Sequence, residues 1–295
     1  MIKNKGAYLS LALAMILVGT SVVVGKVISS SLPIFLSTFA SLLIASILFL
    51  PSLQKNRSFT NISKQDFFYL SIQALLGTVL YRIFLFLGLK YVDSSYAGIL
   101  TALQPAMISL LAIIFLKEKQ TLKQNIGVFL AVIGLFITYT SNSVKLDLKS
   151  GIFVGSLLIF LSIFGEACFS IFAKKVSYKV KPFEIAGIVT VISTVLLIPF
   201  AIYDLLQTSY SSISLLQITS IIYYGVFLTY ISFILWFKGL EKVKAGEAGI
   251  FTALVPLAGL FFSAILLSDI PSFAEILGCL LIIISIILVV YQNEK

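Results

Sequence analysis

The chain contains no histidine, only two cysteines and few charged residues. Without histidine it lacks the side chain most used for acid–base work at neutral pH and the commonest metal ligand. The aspartates Asp66, Asp93, Asp147, Asp204 and Asp269 are scattered at the ends of apolar runs, so no grouped catalytic set forms. Together these absences weigh against a membrane-embedded enzyme. Cys168 and Cys279 sit inside apolar runs, and their spacing suggests neither a disulfide nor a metal site. No Gly-x-x-x-x-Gly-Lys-[Ser/Thr] run is present, so the sequence offers no ATP site and no cofactor is expected. Charged residues make up 11% of the chain, against roughly 25% in a soluble domain.

What fills the sequence is apolar: 59% of the 295 residues, with a mean hydropathy of +1.09. Ten runs are long enough to approach the ~20 residues a membrane-spanning helix needs. They cover about 7–27, 33–51, 67–89, 94–116, 124–141, 151–172, 183–203, 217–238, 245–267 and 273–291. The breaks between them are short and leave no room for a soluble domain. Lys3 and Lys5 precede the first run, as in a signal peptide, but the run is too long and no small-x-small cleavage site follows. It reads as helix one. The fold class expected is an all-α membrane protein.

One stretch recurs. Gly88 to Pro105, GLKYVDSSYAGILTALQP, returns 151 residues later as GLEKVKAGEAGIFTALVP, with ten of eighteen positions identical. This is the mark of an internal duplication. It divides the chain into a first repeat (1–141, helices one to five), a connecting loop (142–150) and a second repeat (151–295, helices six to ten). Pro33 opens helix two and Pro182 opens helix seven, a further match. Five spans per repeat is odd, so the second must lie inverted relative to the first.

The charges agree with that inversion. Lys and Arg on alternate sides of the ten runs number 16 and 4, with Arg82 left inside a span. The positive-inside rule puts both termini in the cytoplasm. The turn at Lys90 and Asp93 is neutral, whereas its copy carries Lys238, Lys242 and Lys244. The turn Lys117-Glu118-Lys119 is basic, whereas its copy, Ser268-Asp269-Ile270, has no base. The net charge of +9 lies in these loops and does not indicate nucleic acid. Lys26 is expected to snorkel to the outer headgroups.

Several residues are candidates for lining a central cavity. Proline inside a helix removes a donor, and the orphaned carbonyls here would be those of Thr101, below Pro105, and Thr252, below Pro256. Paired breaks in corresponding helices point to the binding site of a transporter; a packing kink satisfied by the threonine hydroxyl is the plainer alternative. Helix four carries Thr101, Gln104 and Pro105 on one face. On helix three, helical spacing puts Ser71, Thr78 and Arg82 on one stripe. An intramembrane charge normally faces the bundle interior, with outward snorkelling as the alternative for Arg82. On helix six, Gly155, Ser162, Glu166 and Phe169 share a face. Glu166 could carry a proton or hold a substrate ammonium, or else snorkel and pair with Lys174 or Lys175. No direct salt bridge to Arg82 is expected, because the two lie toward opposite ends of their helices. Thr20 lies among the small residues Gly19, Ser21 and Gly25 of helix one, which suit either packing or cavity lining. On helix eight, Tyr230 is a candidate lining residue and Trp236, beside Lys238, reads as an interface anchor. Gly127, Ala131 and Gly134 give helix five a small face for close packing. Helix ten, almost wholly apolar, should be peripheral. Ser63 with Asp66 is a weak capping signal for helix three.

These residues resemble the drug/metabolite transporter superfamily, in particular its EamA-like family. The first half shows Gly88-Leu89, Ser94-Ser95, Ala97, Pro105, Glu118, Gly127 and Gly134, and the second shows Gly239-Leu240, Ala245, Ala248, Pro256, Asp269 and Gly278. Val18-Gly19 stands where the family often has Trp-Gly, and Ser285 stands opposite Gly134. The resemblance implies ten helices in two inverted five-helix repeats, with a cavity from helices one, three, four, six, eight and nine, and helices five and ten outside it. It leaves the substrate open, since family members carry amino acids, nucleotide-related molecules and other metabolites.

The function expected is secondary active transport of a small polar or amphipathic metabolite, amino-acid-like or related, by alternating access across the cytoplasmic membrane. Export or exchange is the expected direction. The partners expected are the small-molecule substrate, a proton or exchanged counter-substrate, the lipid bilayer and, as an assembly, a homodimer. A channel or a purely structural membrane protein is the competing reading.

Overall fold

A computed structural model describes residues 4–21, 24, 33–56, 58, 62–88, 90–91, 100–140, 151–207, 214–267 and 272–291. Lys26, the turns at Val92–Ala97 and Ser268–Ile270, Gly25 and the loop 142–150 lie outside the described residues. No strand occurs among those described. The helices fall into ten rods: α1 (Lys5–Gly19), α2 (Ile34–Lys55), α3 (Lys64–Gly88), α4 (Gln104–Leu116), α5 (Leu122–Thr140), α6 (Ile152–Val176), α7 (Pro182–Gln207), α8 (Leu215–Lys242), α9 (Ala245–Phe251 and Leu254–Leu267) and α10 (Phe273–Val290). Seven are long and apolar enough to cross a membrane; α1, α4 and α5 are shorter apolar helices.

Local chemistry sets the helix ends. Pro33 is the N-cap of α2 and Pro182 the first residue of α7, as expected where an orphan N–H would otherwise sit. Asp204, near the end of α7, accepts from the backbone N–H of Phe35 (2.8 Å) and Leu36 (3.1 Å), placing a carboxylate on the positive end of α2. Ser63 does cap α3, accepting from Asp66 N at 3.0 Å. Ser272 and Glu275 close a capping box at the start of α10.

Burial is arranged for lipid. Phe153, Leu206, Phe129, Phe68 and Phe273 are exposed, while Ser162, Thr190, Ser193 and Ser285 are fully buried. The buried hydroxyls mostly bond their own helix; Ser46 and Thr194 bond each other across α2 and α7 at 2.9 Å. Small residues let backbones meet. A Cβ on Gly134 would sit 2.7 Å from the Gly278 carbonyl oxygen, and one on Gly165 would sit 2.5 Å from the carbonyl oxygen of Leu76. The small face of α5 thus packs on α10, whose other side exposes Ile276, Leu280, Ile283 and Ile287.

The packing repeats itself. α1 lies on α8 and α9, as α6 lies on α3 and α4; α2 and α7 pair, and α5 pairs with α10. α2 leans on the middle of α8, as α7 leans on α3. Exchanging each helix with the one five places along returns these pairs, although α7 also packs on α8 far more than α2 does on α3.

Four departures from regular α-helix matter. α3 is wound as a π-helix over Leu75–Leu80 and α8 over Tyr224–Ile231, segments that overlap at the 151-residue offset. The wider turns change the phase of everything beyond them, which is why Ser71 is not on the stripe with Thr78 and Arg82 and instead donates to Phe67 O. α9 breaks at Thr252–Ala253, and the residues before α4 break at Ala102–Leu103. The orphaned carbonyl expected at Thr252 does not arise: the chain tightens, and Val255 N donates to Thr252 O at 3.1 Å. The Thr252 hydroxyl meanwhile donates to Gly249 O at 2.7 Å. Pro105 lies in the first turn of its helical segment and does not interrupt a continuous one.

Candidate functional site

A cavity of about 530 Å³ lies between the two halves. α1 enters its wall from its C-terminal half (Met15, Val18) and Ser21 beyond, and α2 from its N-terminal half (Ile34, Ser37, Thr38, Ser41). α3 supplies Gly77, Thr78, Tyr81, Arg82, Leu85 and Phe86; α4, with the turn before it, supplies Thr101, Gln104 and Pro105. α6 supplies Glu166, Phe169 and Ser170, α8 supplies Tyr224, Leu228, Thr229, Ser232, Phe233 and Trp236, and α9 supplies Thr252, Val255 and Pro256. Leu135 of α5 completes the wall. The contribution of α2 was not anticipated, and the implied exclusion of α5 fails at Leu135.

The expected lining residues divide. Thr78, Arg82, Thr101, Gln104, Pro105, Glu166, Thr252 and Pro256 all lie on this one wall. Three others lie elsewhere. Thr20 donates to Leu17 O at 2.7 Å and meets the Tyr223 hydroxyl at 3.1 Å. Ser162 is fully buried and donates to Ile159 O at 2.7 Å. Tyr230 packs its ring on Phe49 (4.5 Å) and Phe183 (6.4 Å), between α2 and α7, because the π segment turns it off the cavity face.

Charge is placed sparingly. The Gln104 side chain hydrogen-bonds the Glu166 carboxyl, tying α4 to α6. Neither expected lysine partner reaches Glu166. Lys174 donates to the carbonyls of Leu240 (2.8 Å) and Glu241 (2.9 Å), and Lys175 lies 4.4 Å from the Tyr69 ring centroid. Among the described residues no salt bridge joins Arg82 to Glu166. The wall therefore offers a cation and an acid to whatever enters, with apolar surface from Leu85, Phe86, Phe169, Leu228 and Phe233 between them.

The end of the cavity toward the termini is sealed. Ala7, Tyr8, Leu11 and Ala14 of α1 are buried, and Tyr8 stacks on Phe251 with centroids 5.7 Å apart. Glu247, 4% exposed in the first turn of α9, accepts from Tyr8 Oη (3.1 Å) and Gln124 Nε2 (2.5 Å). Lys117 adopts a left-handed conformation (φ 56°) that closes α4 and swings the chain across. Glu118 then accepts from the backbone N–H of Ala245 (2.9 Å) and Gly246 (3.2 Å). Lys244 Nζ donates to Lys119 O at 2.6 Å. This floor joins α1, α4, α5 and α9, residues from both halves.

Two features of the wall escaped sequence reasoning. Trp236, expected at the membrane interface, is 4% exposed and faces the cavity. Thr229 stands 151 residues from Thr78, so the duplication offset itself would have found it.

The sequence pattern of the EamA-like transporter family matches residues 5–140 and, a second time, 153–291. The chain belongs to the EamA-like transporter family. Among its relatives is the uncharacterized transporter YetK of Bacillus subtilis (strain 168), 34% identical over 294 residues, covering 99% of this chain and 89% of YetK. An uncharacterized transporter of Archaeoglobus fulgidus is 26% identical over 219 residues, covering 74% of this chain and 76% of that protein. A protein of Salmonella typhimurium (strain LT2) called a probable amino-acid metabolite efflux pump is 24% identical over 207 residues, 68% of each chain. One solved structure, described only as the crystal structure of a protein, superposes with a TM-score of 0.83 at 17% identity, covering 99% of this chain and all of that one, which speaks to the fold alone. Family and relatives make this a membrane transport protein, since the relatives named here carry transporter or efflux-pump names.

Proposed function

We propose that this EamA-like protein is a secondary active transporter that moves a small polar or amphipathic metabolite, amino-acid-like in its charges, by alternating access. The observation that carries the reading is Arg82 and Glu166 on the wall of one cavity of about 530 Å³. A carboxylate suits the guanidinium, and an ammonium suits the acid held by Gln104. The name of the Salmonella relative supports this cargo class. A sealed floor beneath an enclosed wall suits a carrier better than a channel, and the absence of an ATP motif in the sequence leaves a proton or an exchanged counter-substrate to drive it.

The same reading extends to topology. The 16-to-4 division of basic residues and the five-place exchange in packing support ten spans in two inverted repeats, 1–141 and 151–295 about a connector at 142–150. Both termini then lie in the cytoplasm, the protein resides in the cytoplasmic membrane, and the sealed floor faces inward. Transport is outward or by exchange.

The test is uptake and counterflow in vesicles carrying the protein, against a metabolite panel, with and without a pH gradient. Saturable, gradient-sensitive flux that falls in Arg82→Met and Glu166→Gln while expression holds is the expected result. Flux that never saturates would make the protein a channel, and full flux in both variants would remove these residues from the site.

A further inference from the structure

Two side chains of the cavity wall carry hydrogen-bond donors that the protein itself leaves unused. Thr78 is 3% exposed and Trp236 4% exposed, and neither Thr78 Oγ1 nor Trp236 Nε1 has a partner. Both residues line the cavity, one from each half. Buried polar atoms are satisfied in the great majority of cases, because an unpaired one forfeits its hydration with nothing in return. Most hydroxyls in this bundle obey that rule by bonding back to their own helix, as Ser162, Thr190 and Thr252 do. Thr78 does not, because it sits in the π-wound segment of α3. Such segments interrupt the regular ladder and are frequent at functional sites. Arg82 follows one turn later on the same wall.

We infer that Thr78 and Trp236 are cargo-binding residues, each donating to an oxygen of the transported molecule, and that Thr78 with Arg82 receives a carboxylate. This rests on the transport reading of the cavity and adds to it an orientation. The acceptor-rich end of the cargo lies toward α3 and α8, and its cationic end toward Glu166 and Gln104 on α6 and α4. A hydroxyl and a guanidinium one turn apart present three donors to two oxygens, which a carboxylate can use and an amine cannot.

Trp236 is the only tryptophan in the chain, so its emission reports on this wall directly. The purified full-length protein in lipid nanodiscs is titrated with L-leucine, with 4-methylpentanoate, which lacks the ammonium, and with 3-methylbutylamine, which lacks the carboxylate. Leucine and 4-methylpentanoate should shift the emission, and the amine should bind at least tenfold more weakly than leucine. Thr78→Val should weaken both carboxylate probes by roughly tenfold or more, the loss of one hydrogen bond to a charged group, and leave the amine unchanged. Thr78→Ser, which keeps the hydroxyl, should restore them. Trp236→Phe, followed by calorimetry, should weaken leucine binding while the protein stays folded. The proposal is overturned if Thr78→Val binds the carboxylates as the parent does, if the amine binds as tightly as leucine, or if none of the three probes moves the emission. Vesicle counterflow separates this from the transport reading. A parent protein that carries cargo beside a Thr78→Val variant that carries it equally well removes the subsite and keeps the carrier. A parent that carries nothing removes both.

Discussion

Glu247 is the keystone of the sealed floor, and removing it should open the cavity toward the termini. Its carboxyl is 4% exposed and accepts from Tyr8 of α1 and Gln124 of α5. In Glu247→Ala both donors lose their acceptor inside packed protein. Each loss costs roughly 1–3 kcal/mol, so the closed floor is weakened by about 2–6 kcal/mol. Converting a 1:99 equilibrium to 99:1 takes about 5.5 kcal/mol, so the upper part of that range is enough to invert the population. The assay uses a background without the native thiols (Cys168→Ala, Cys279→Ala) and a single new one, Ser170→Cys, on the cavity wall. A membrane-impermeant maleimide added on the terminus side should label it slowly with Glu247 present and at least tenfold faster in Glu247→Ala. Circular dichroism and a melting curve accompany the measurement. An unchanged labelling rate in a protein that remains folded refutes the reasoning. Loss of the folded state also refutes it, since the contact would then hold the bundle together and not a movable floor.

Other expectations follow from single contacts. Gly134→Leu should lower the melting temperature, by overpacking worth roughly 1–3 kcal/mol, because a Cβ there meets the Gly278 carbonyl; Gly6→Ala, with open space around it, should leave stability unchanged or raise it by up to about 1 kcal/mol. Glu118→Ala removes the acceptor for Ala245 N and Gly246 N and should cost about 1 kcal/mol of thermal stability, with more at low salt than at high. Pro256→Ala supplies a backbone donor beside the break at Thr252–Ala253 and should stiffen α9; transport measured in vesicles should slow while the protein stays folded, and full transport would make the break incidental. Ser214→Cys, at the start of α8, should react with an impermeant reagent only from the outer face; reaction only from inside would invert the assigned topology.

Helical rods and membership of the family were legible because an apolar run and a recurring motif survive in one dimension. Arg82 and Glu166 were legible because a charge inside such a run is rare and expensive. Hydroxyls were harder to read. A serine or threonine in a membrane helix can satisfy itself on the carbonyl one turn back, so Ser162 and Ser41 look alike in the sequence, although Ser162 is packed away and Ser41 lines the cavity. Tyr230, expected on the cavity but packed between α2 and α7, and Trp236, expected at the interface but facing the cavity, were misplaced for a related reason. Both lie in or just beyond a π-wound segment, and a count at 3.6 residues per turn drifts out of phase there. The orphaned carbonyl expected at Thr252 vanished because three-residue turns are available wherever a helix breaks, and no sequence rule forbids one.

The two π segments also have a mechanical consequence. A helix so wound holds more residues than its length requires. Shortening it by one residue would restore the ordinary pitch with every backbone bond remade and would leave all that follows facing almost as before, because the wide turn already absorbs the extra residue. In α3 the deletion of Leu76 would leave Arg82 on the cavity wall, and in α8 the loss of Val226 would do the same for Trp236; tightening either segment to the ordinary pitch with no residue removed would instead turn those side chains by about 100°. α3 and α8 therefore each carry a register point at which rewinding of the backbone, with no change of side chain, would exchange one face of the site for another.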